Sequence, residues 1–141
     1  MKKQKRIYLD YAATTPVDER VIKAMTPYFG KQFGNTMSFH SAGAKASEAV
    51  EKSRKVVADM IYAKESEIIF TSSATESNNL ALKGIAFANK EKGKHIIISP
   101  IEHDCVLESA KWLEKQGFEI TRLSVDSFGL IKPDELENAI R

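Results

Sequence analysis

The stretch IIFTSSATESNNLAL, residues 68–82, carries an apolar segment into a turn of small hydroxyl residues and then into a helix. The chemistry such a turn could do is the holding of an anion. The first backbone N–H groups of a helix have no partners within it, and the positive end of the helix dipole strengthens their attraction for a phosphate. Ala74 and Thr75 would supply those groups, with the hydroxyls of Ser72, Ser73 and Thr75 around them. The same residues also have a purely local reading. Ser73 followed three positions later by Glu76 matches a capping box, which needs no ligand. A Gly-rich nucleotide loop is excluded, because neither its glycines nor its lysine is present.

A second candidate is His103, in SPIEHDCV, just past another apolar run. An imidazole that titrates near neutrality could stack on a conjugated cofactor or move protons, if a cofactor lies beside it. His40, in an irregular stretch, and His95, at the start of the apolar run, read as structural or solvated. Cys105 stands two residues after His103 and invites a Cys–His nucleophile reading. Against it, a helix starting near Asp104 puts Cys105 in the first turn, where a lone cysteine commonly serves as a small buried hydrophobe. Three histidines far apart and one cysteine make a poor metal set and exclude an internal disulfide.

These residues must be positioned by the elements around them. RIYLDYAATTP reads as a short extended segment stopped by Pro16. Asp18 then caps a helix reaching to about Tyr28, with Gly30 as its stop. The aperiodic stretch KQFGNTMSFHSAGA follows as an irregular loop. From about Ser41 or Ala44 to Ile61, the residues Ala46, Ala49, Val50, Val56, Val57 and Met60 share one helical face. The pattern then alternates: strand at 68–71, helix at about 75–90, strand at 95–99, helix at about 106–116 and strand near 118–123. Pro133 opens a last helix. Such alternation predicts an α/β fold, a mostly parallel sheet flanked by helices, with sites gathered in the loops at the carboxyl ends of its strands. Two such loops are 71–75 and 99–104.

Composition bounds the rest. With 141 residues, 43% hydrophobic and 28% charged, the chain suits one globular domain. Its net charge is +2; Lys2, Lys3, Lys5 and Arg6 crowd the start, but other basic residues interleave with acids, so nucleic-acid binding is not expected. No apolar stretch follows the basic start, and none approaches the roughly 20 residues that cross a bilayer. A cytoplasmic location without membrane attachment is the expectation.

With YLDYAATTP, FGNTMSFHSAG, EIIFTSSATESNNLALKG and HIIISPIEHDCVLES in order along the chain, the sequence resembles the NifS/IscS-type cysteine desulfurases of the aminotransferase class V group. The resemblance implies the N-terminal part of a fold type I transferase that uses pyridoxal 5′-phosphate. It implies an activity that takes sulfur from L-cysteine to an enzyme persulfide and leaves L-alanine, for iron–sulfur cluster assembly or tRNA thiolation. By the same resemblance, Ala74 and Thr75 would bind the cofactor phosphate, and His103 would lie over its ring as the catalytic histidine. A homodimeric parent and a sulfur-acceptor or scaffold protein are the implied partners. The loop with Gly34, Asn35 and His40 resembles the family's GNPSSxH segment, with Thr36 in place of its proline and Met37 in place of a serine. Ser73 stands where many members have glycine.

The family's Schiff-base lysine, its ring-pairing aspartate and its persulfide cysteine correspond to positions past Arg141. Residues 1–141 are therefore expected to be an N-terminal fragment of the cofactor-binding large domain, with an arm at about 1–45, and to be inactive alone. Exposed strand edges and apolar faces are expected, with poor solubility or reliance on a complementary chain. Two further readings stand beside this one: a fragment of a selenocysteine lyase or another pyridoxal-phosphate lyase, and a non-catalytic module that binds a phosphorylated ligand or docks on a partner.

Overall fold

The computed structural model describes residues 7–141. The basic cluster Lys2, Lys3, Lys5 and Arg6 lies outside them. The chain divides into two compact units, Met1–Ile69 and Phe70–Arg141.

In the first unit the segment expected to be extended turns instead at residues 11–13, where the Ala13 N–H donates to the Asp10 carbonyl. Helix α1, Glu19–Met25, starts where Asp18 Oδ1 accepts from the Arg20 N–H at 2.8 Å. A 3-10 turn, Thr26–Phe29, carries it to Gly30. The irregular loop that follows is tied at Asn35, whose side chain accepts from the Met37 N–H at 2.9 Å. Helix α2 spans Ser41–Met60. Its cap is His40, whose Nδ1 accepts from the Gly43 N–H at 3.3 Å. Gly43 is required by proximity: a Cβ there would stand 2.2 Å from the Ser38 carbonyl oxygen. The apolar face foreseen for α2 is real as a pattern but is little covered within the described residues, with Val56 54% and Met60 75% exposed and only Gly43 and Ala58 buried.

The second unit holds the sheet. Helix α3, Ala74–Ala88, is followed by β1, His95–Ile98, then α4, Asp104–Lys115, and β2, Glu119–Arg122. The strands pair in parallel, His95 opposite Glu119 and Ile98 opposite Arg122. Parallel neighbours need a crossover, and α4 is that crossover. Gly117, at φ +86°, makes the left-handed step after α4 that a side chain would resist. Packing gathers where α3 and α4 meet the strands: Ala86, Leu113 and Phe118 are buried, with Leu82, Ile96 and Ile120 against them. The Phe87 ring meets Trp112 and Phe118 edge-on. Helix α5, Pro133–Ala139, is tied back through Glu135, which accepts from the Ser124 N–H at 2.7 Å and its hydroxyl at 2.6 Å.

One expected strand is absent. Residues 68–71 run extended at Ile68 but join no ladder, since β1 and β2 are the two strands of the only sheet among the described residues. The Ile68 carbonyl accepts from the Arg54 guanidinium at 2.5 Å instead. Nor is β1 covered on both faces: residues 95–97 are half-buried and only Ile98 is buried. Ile69, Ile85 and Leu130 stand well exposed, in keeping with the apolar surface anticipated. Among the described residues no helix is long and apolar enough to cross a membrane.

Candidate functional site

At the start of α3, Ser73 is the cap, its hydroxyl accepting from the Glu76 N–H at 3.2 Å. Its backbone is extended, at φ −166°, so a serine sits there without the strain a left-handed turn would impose. The return half of the capping box reaches one residue further back than expected. Glu76 Oε2 accepts from the N–H of Ser72 at 2.6 Å and from its hydroxyl at 2.7 Å. The Ser72 hydroxyl is thus spent on Glu76, and Thr71 shares a 2.6 Å hydrogen bond with Ser77. What stays available is narrower than the sequence suggested. The N–H groups of Ala74 and Thr75 and the Thr75 hydroxyl have no partner among the described residues.

The two hydrogen bonds from Ser72, the backbone one first, hold the Glu76 carboxyl below its ordinary range. A carboxyl depressed in the folded state contributes stability that is present above its unfolded pKa and lost as pH falls through the folded one. Glu76→Gln is therefore expected to lower the melting temperature at neutral pH. The gap to the parent should close as the pH drops below about 4, the ordinary carboxylate range. Thermal melts of both proteins across that range check it; a gap that persists undiminished in acid would refute the linkage.

His103 caps α4. Its Nδ1 accepts from the Cys105 N–H at 3.2 Å and stands 3.1 Å from Cys105 Sγ. A neutral ring that accepts at Nδ1 carries its proton on Nε2. The ring is exposed, and Nε2 has no partner among the described residues. Cys105 is half-buried, as its place in the first turn suggested, yet its sulfur also accepts from Asn78 Nδ2 of α3 at 3.0 Å.

Thr75 and His103 both line a groove of about 740 Å³ between α3 and α4, together with Asn79, Lys83, Cys105 and Ser109. Ala74 is not part of its wall. Along its floor Asn79 Oδ1 accepts from Lys83 at 2.6 Å and from the buried Ser109 hydroxyl at 3.1 Å. Lys83 also lies 4.7 Å from the centre of the Trp112 ring. Sequence reasoning missed this floor and the Asn78–Cys105 bond. The i,i+4 spacing of Asn79 and Lys83 was a visible signal; the links between helices were not. The other histidines do structural work: His40 caps α2, and His95 Nε2 shares a 2.7 Å hydrogen bond with Thr121. Among the described residues no group of three or more His, Cys, Asp or Glu side chains is disposed to hold a metal.

Thr75 at the start of α3 and the exposed imidazole of His103 thus open on one groove. Comparison with known proteins adds four findings. The family model described as aminotransferase class-V matches residues 7–141. A protein named cysteine desulfurase IscS from Methanosarcina thermophila is 54% identical over 137 residues, which is 97% of this chain and 34% of that protein. Among solved structures, a NifS-like protein superposes with a TM-score of 0.90 at 42% identity, covering 96% of this chain and 37% of its own. A structure titled SspA in complex with cysteine gives 0.85 at 45% identity, covering 95% and 39%. The chain spans about a third of the length of the curated relatives it matches.

Proposed function

We propose, on the premise that this chain belongs to the aminotransferase class-V family, that it supplies one wall of the pyridoxal 5′-phosphate site of a cysteine desulfurase. The residues fit that group. The Thr75 N–H and hydroxyl on the groove, with the Ala74 N–H just behind its wall, have no partners among the described residues and suit a phosphate dianion, and the exposed planar imidazole on the groove suits the face of a ring. In this reading Ala74 and Thr75 hold the phosphate, and Thr75 adds its hydroxyl. His103 lies against the ring and is the catalytic histidine, its Nε2 holding or passing a proton while Nδ1 stays tied to α4. The cofactor, when bound, supplies the electron sink that cleavage of a carbon–sulfur bond needs.

The substrate in this reading is L-cysteine, the products are L-alanine and an enzyme persulfide, and the sulfur goes on to iron–sulfur cluster assembly or tRNA thiolation. Residues 1–141 would belong to the cofactor-binding large domain, with an arm at about 1–45. A homodimer, a sulfur-acceptor or scaffold protein and a cytoplasmic setting complete it. The observation that carries the proposal is that Thr75 and His103, 28 residues apart and on different helices, line the same groove.

A chimera tests it. This chain replaces the matching third of the Methanosarcina thermophila relative, and the product is loaded with pyridoxal 5′-phosphate. With a dithiol reductant present to free the persulfide sulfur as sulfide, release of sulfide and alanine from L-cysteine within about tenfold of the parent rate is expected, since the wall supplied here keeps the binding groups. A folded, cofactor-loaded chimera that leaves cysteine intact would defeat the reading.

A further inference from the structure

We infer that Asn78 and Cys105 are positioning residues for His103, forming a clamp between α3 and α4 that fixes which ring nitrogen carries the proton and where the ring faces. The inference rests on the cofactor role of His103 proposed above. Three contacts run in one direction. Asn78 Nδ2 donates to Cys105 Sγ at 3.0 Å, the Cys105 thiol lies 3.1 Å from His103 Nδ1, and the Cys105 N–H reaches the same Nδ1 at 3.2 Å.

One assignment of hydrogen-bond roles accounts for all three contacts, with the single lone pair of Nδ1 shared between the Cys105 N–H and S–H. An amide N–H₂ can only donate, so the sulfur accepts from Asn78 and its own S–H is left to point at Nδ1. The backbone N–H can also only donate. Nδ1 must therefore be the bare nitrogen, and Nε2 holds the proton. Were the proton on Nδ1, the Cys105 N–H would face another donor and the cap of α4 would be lost.

The clamp explains why an exposed imidazole should hold one orientation. A single bond of 3.2 Å to a backbone N–H leaves an exposed ring free to swing about χ2, whose well is broad. The sulfur provides the second point of contact on the same nitrogen, and Asn78, on the neighbouring helix, holds the sulfur. Because Asn78 follows Thr75 by one helical turn, the same helix that offers the phosphate donors also sets the ring. The two halves of the proposed site are thereby held in register. Serine at position 105 could play the same part, accepting from Asn78 and donating to Nδ1; alanine could not.

The test reads the ring itself. The whole chain is labelled with ¹⁵N at its three histidines and observed at about pH 8.5, two units above the ordinary histidine pKa. In the parent, the two ring nitrogens of His103 should lie far apart, the pattern of one tautomer. Cys105→Ala and Asn78→Ala should each bring them closer as the ring samples both tautomers, and Cys105→Ser should restore the parent spacing. Unchanged signals from His40 and His95 show that each variant keeps its fold. Parent-like spacing in both alanine variants, or a serine variant that shifts as far as the alanine one, would overturn the clamp. Loading pyridoxal 5′-phosphate into the chimera described above, labelled in the same way, is a separate arm. Cofactor that leaves the His103 resonances unmoved would defeat the cofactor reading while the clamp stood.

Discussion

Leu113→Ala is expected to lower the unfolding free energy of the Phe70–Arg141 unit by about 2–5 kcal/mol, the usual cost of a buried leucine truncated to alanine. Leu113 is 0% exposed and is the largest side chain in the described residues to be fully enclosed. It sits on α4 against Ala86 and Phe118, with Leu82, Ile96 and Ile120 beside them, so it touches every layer of the βαβ unit. Ala86, Ile98, Ala110, Phe118 and Leu123 are the other buried hydrophobic residues of that unit, and Leu113 is the one large side chain among the described residues with no exposed surface. Against a typical total of about 5–15 kcal/mol, the loss would leave a marginal fold. Urea unfolding followed by Trp112 fluorescence measures it, since that ring packs edge-on to Phe87 in the same unit. Val56→Ala, at a half-exposed position of the other unit, is the control and should cost well under half as much. A Leu113 cost below about 1 kcal/mol would mean that this contact set does not hold the unit together.

His103→Ala in the cofactor-loaded chimera is expected to lower the turnover number for sulfide release by about 10²–10⁴-fold, the span of a positioned acid–base group. The side chain removed is exposed and caps α4 through a single nitrogen, so the structural cost should be that of one helix cap, about 1 kcal/mol. Separating the two effects requires the cofactor content of each preparation from its absorbance and the rate under saturating cysteine. Equal loading with a collapsed rate is the catalytic signature. A fall of less than tenfold at equal loading would remove His103 from the chemistry and leave it as a cap.

The helices were the legible part of this molecule, because their signals are local. Asp18, Ser73 and Pro133 announced the starts of α1, α3 and α5 within a residue of where they lie, and Gly117 closes α4 by its left-handed step. The cap of α2 was harder to see, for histidine is not among the usual capping residues and reveals itself only when Nδ1 meets the Gly43 N–H. Strand propensity was legible in residues 68–71, but a strand is a property of two segments, and these residues are not part of the β1–β2 sheet. The alternation of apolar positions on α2 was likewise correct as a pattern and silent on what would cover it.

The candidate site divides along the same line. Turn chemistry and spacing within one segment brought out Ala74, Thr75 and His103. They could not show that Glu76 takes both donors of Ser72, which leaves the Ala74 and Thr75 N–H groups and the Thr75 hydroxyl as the donors without partners among the described residues. Nor could they reach Asn78 and Cys105, 27 positions apart, which become neighbours only when α3 packs on α4.

The parallel pairing of β1 with β2 through α4 has a bearing on how the molecule comes into being. His95 meets Glu119 only after the whole of α4 has intervened, so the pairing is non-local and its closure entropy is lost before the ladder offsets it. Parallel pairings of this kind form late and leave apolar surface and strand edges open until they do. Leu113 is therefore enclosed only once β2, Glu119–Arg122, has been made and has joined β1, and until then α3 and α4, which carry Thr75 and Cys105, lack the strand layer that packs against them.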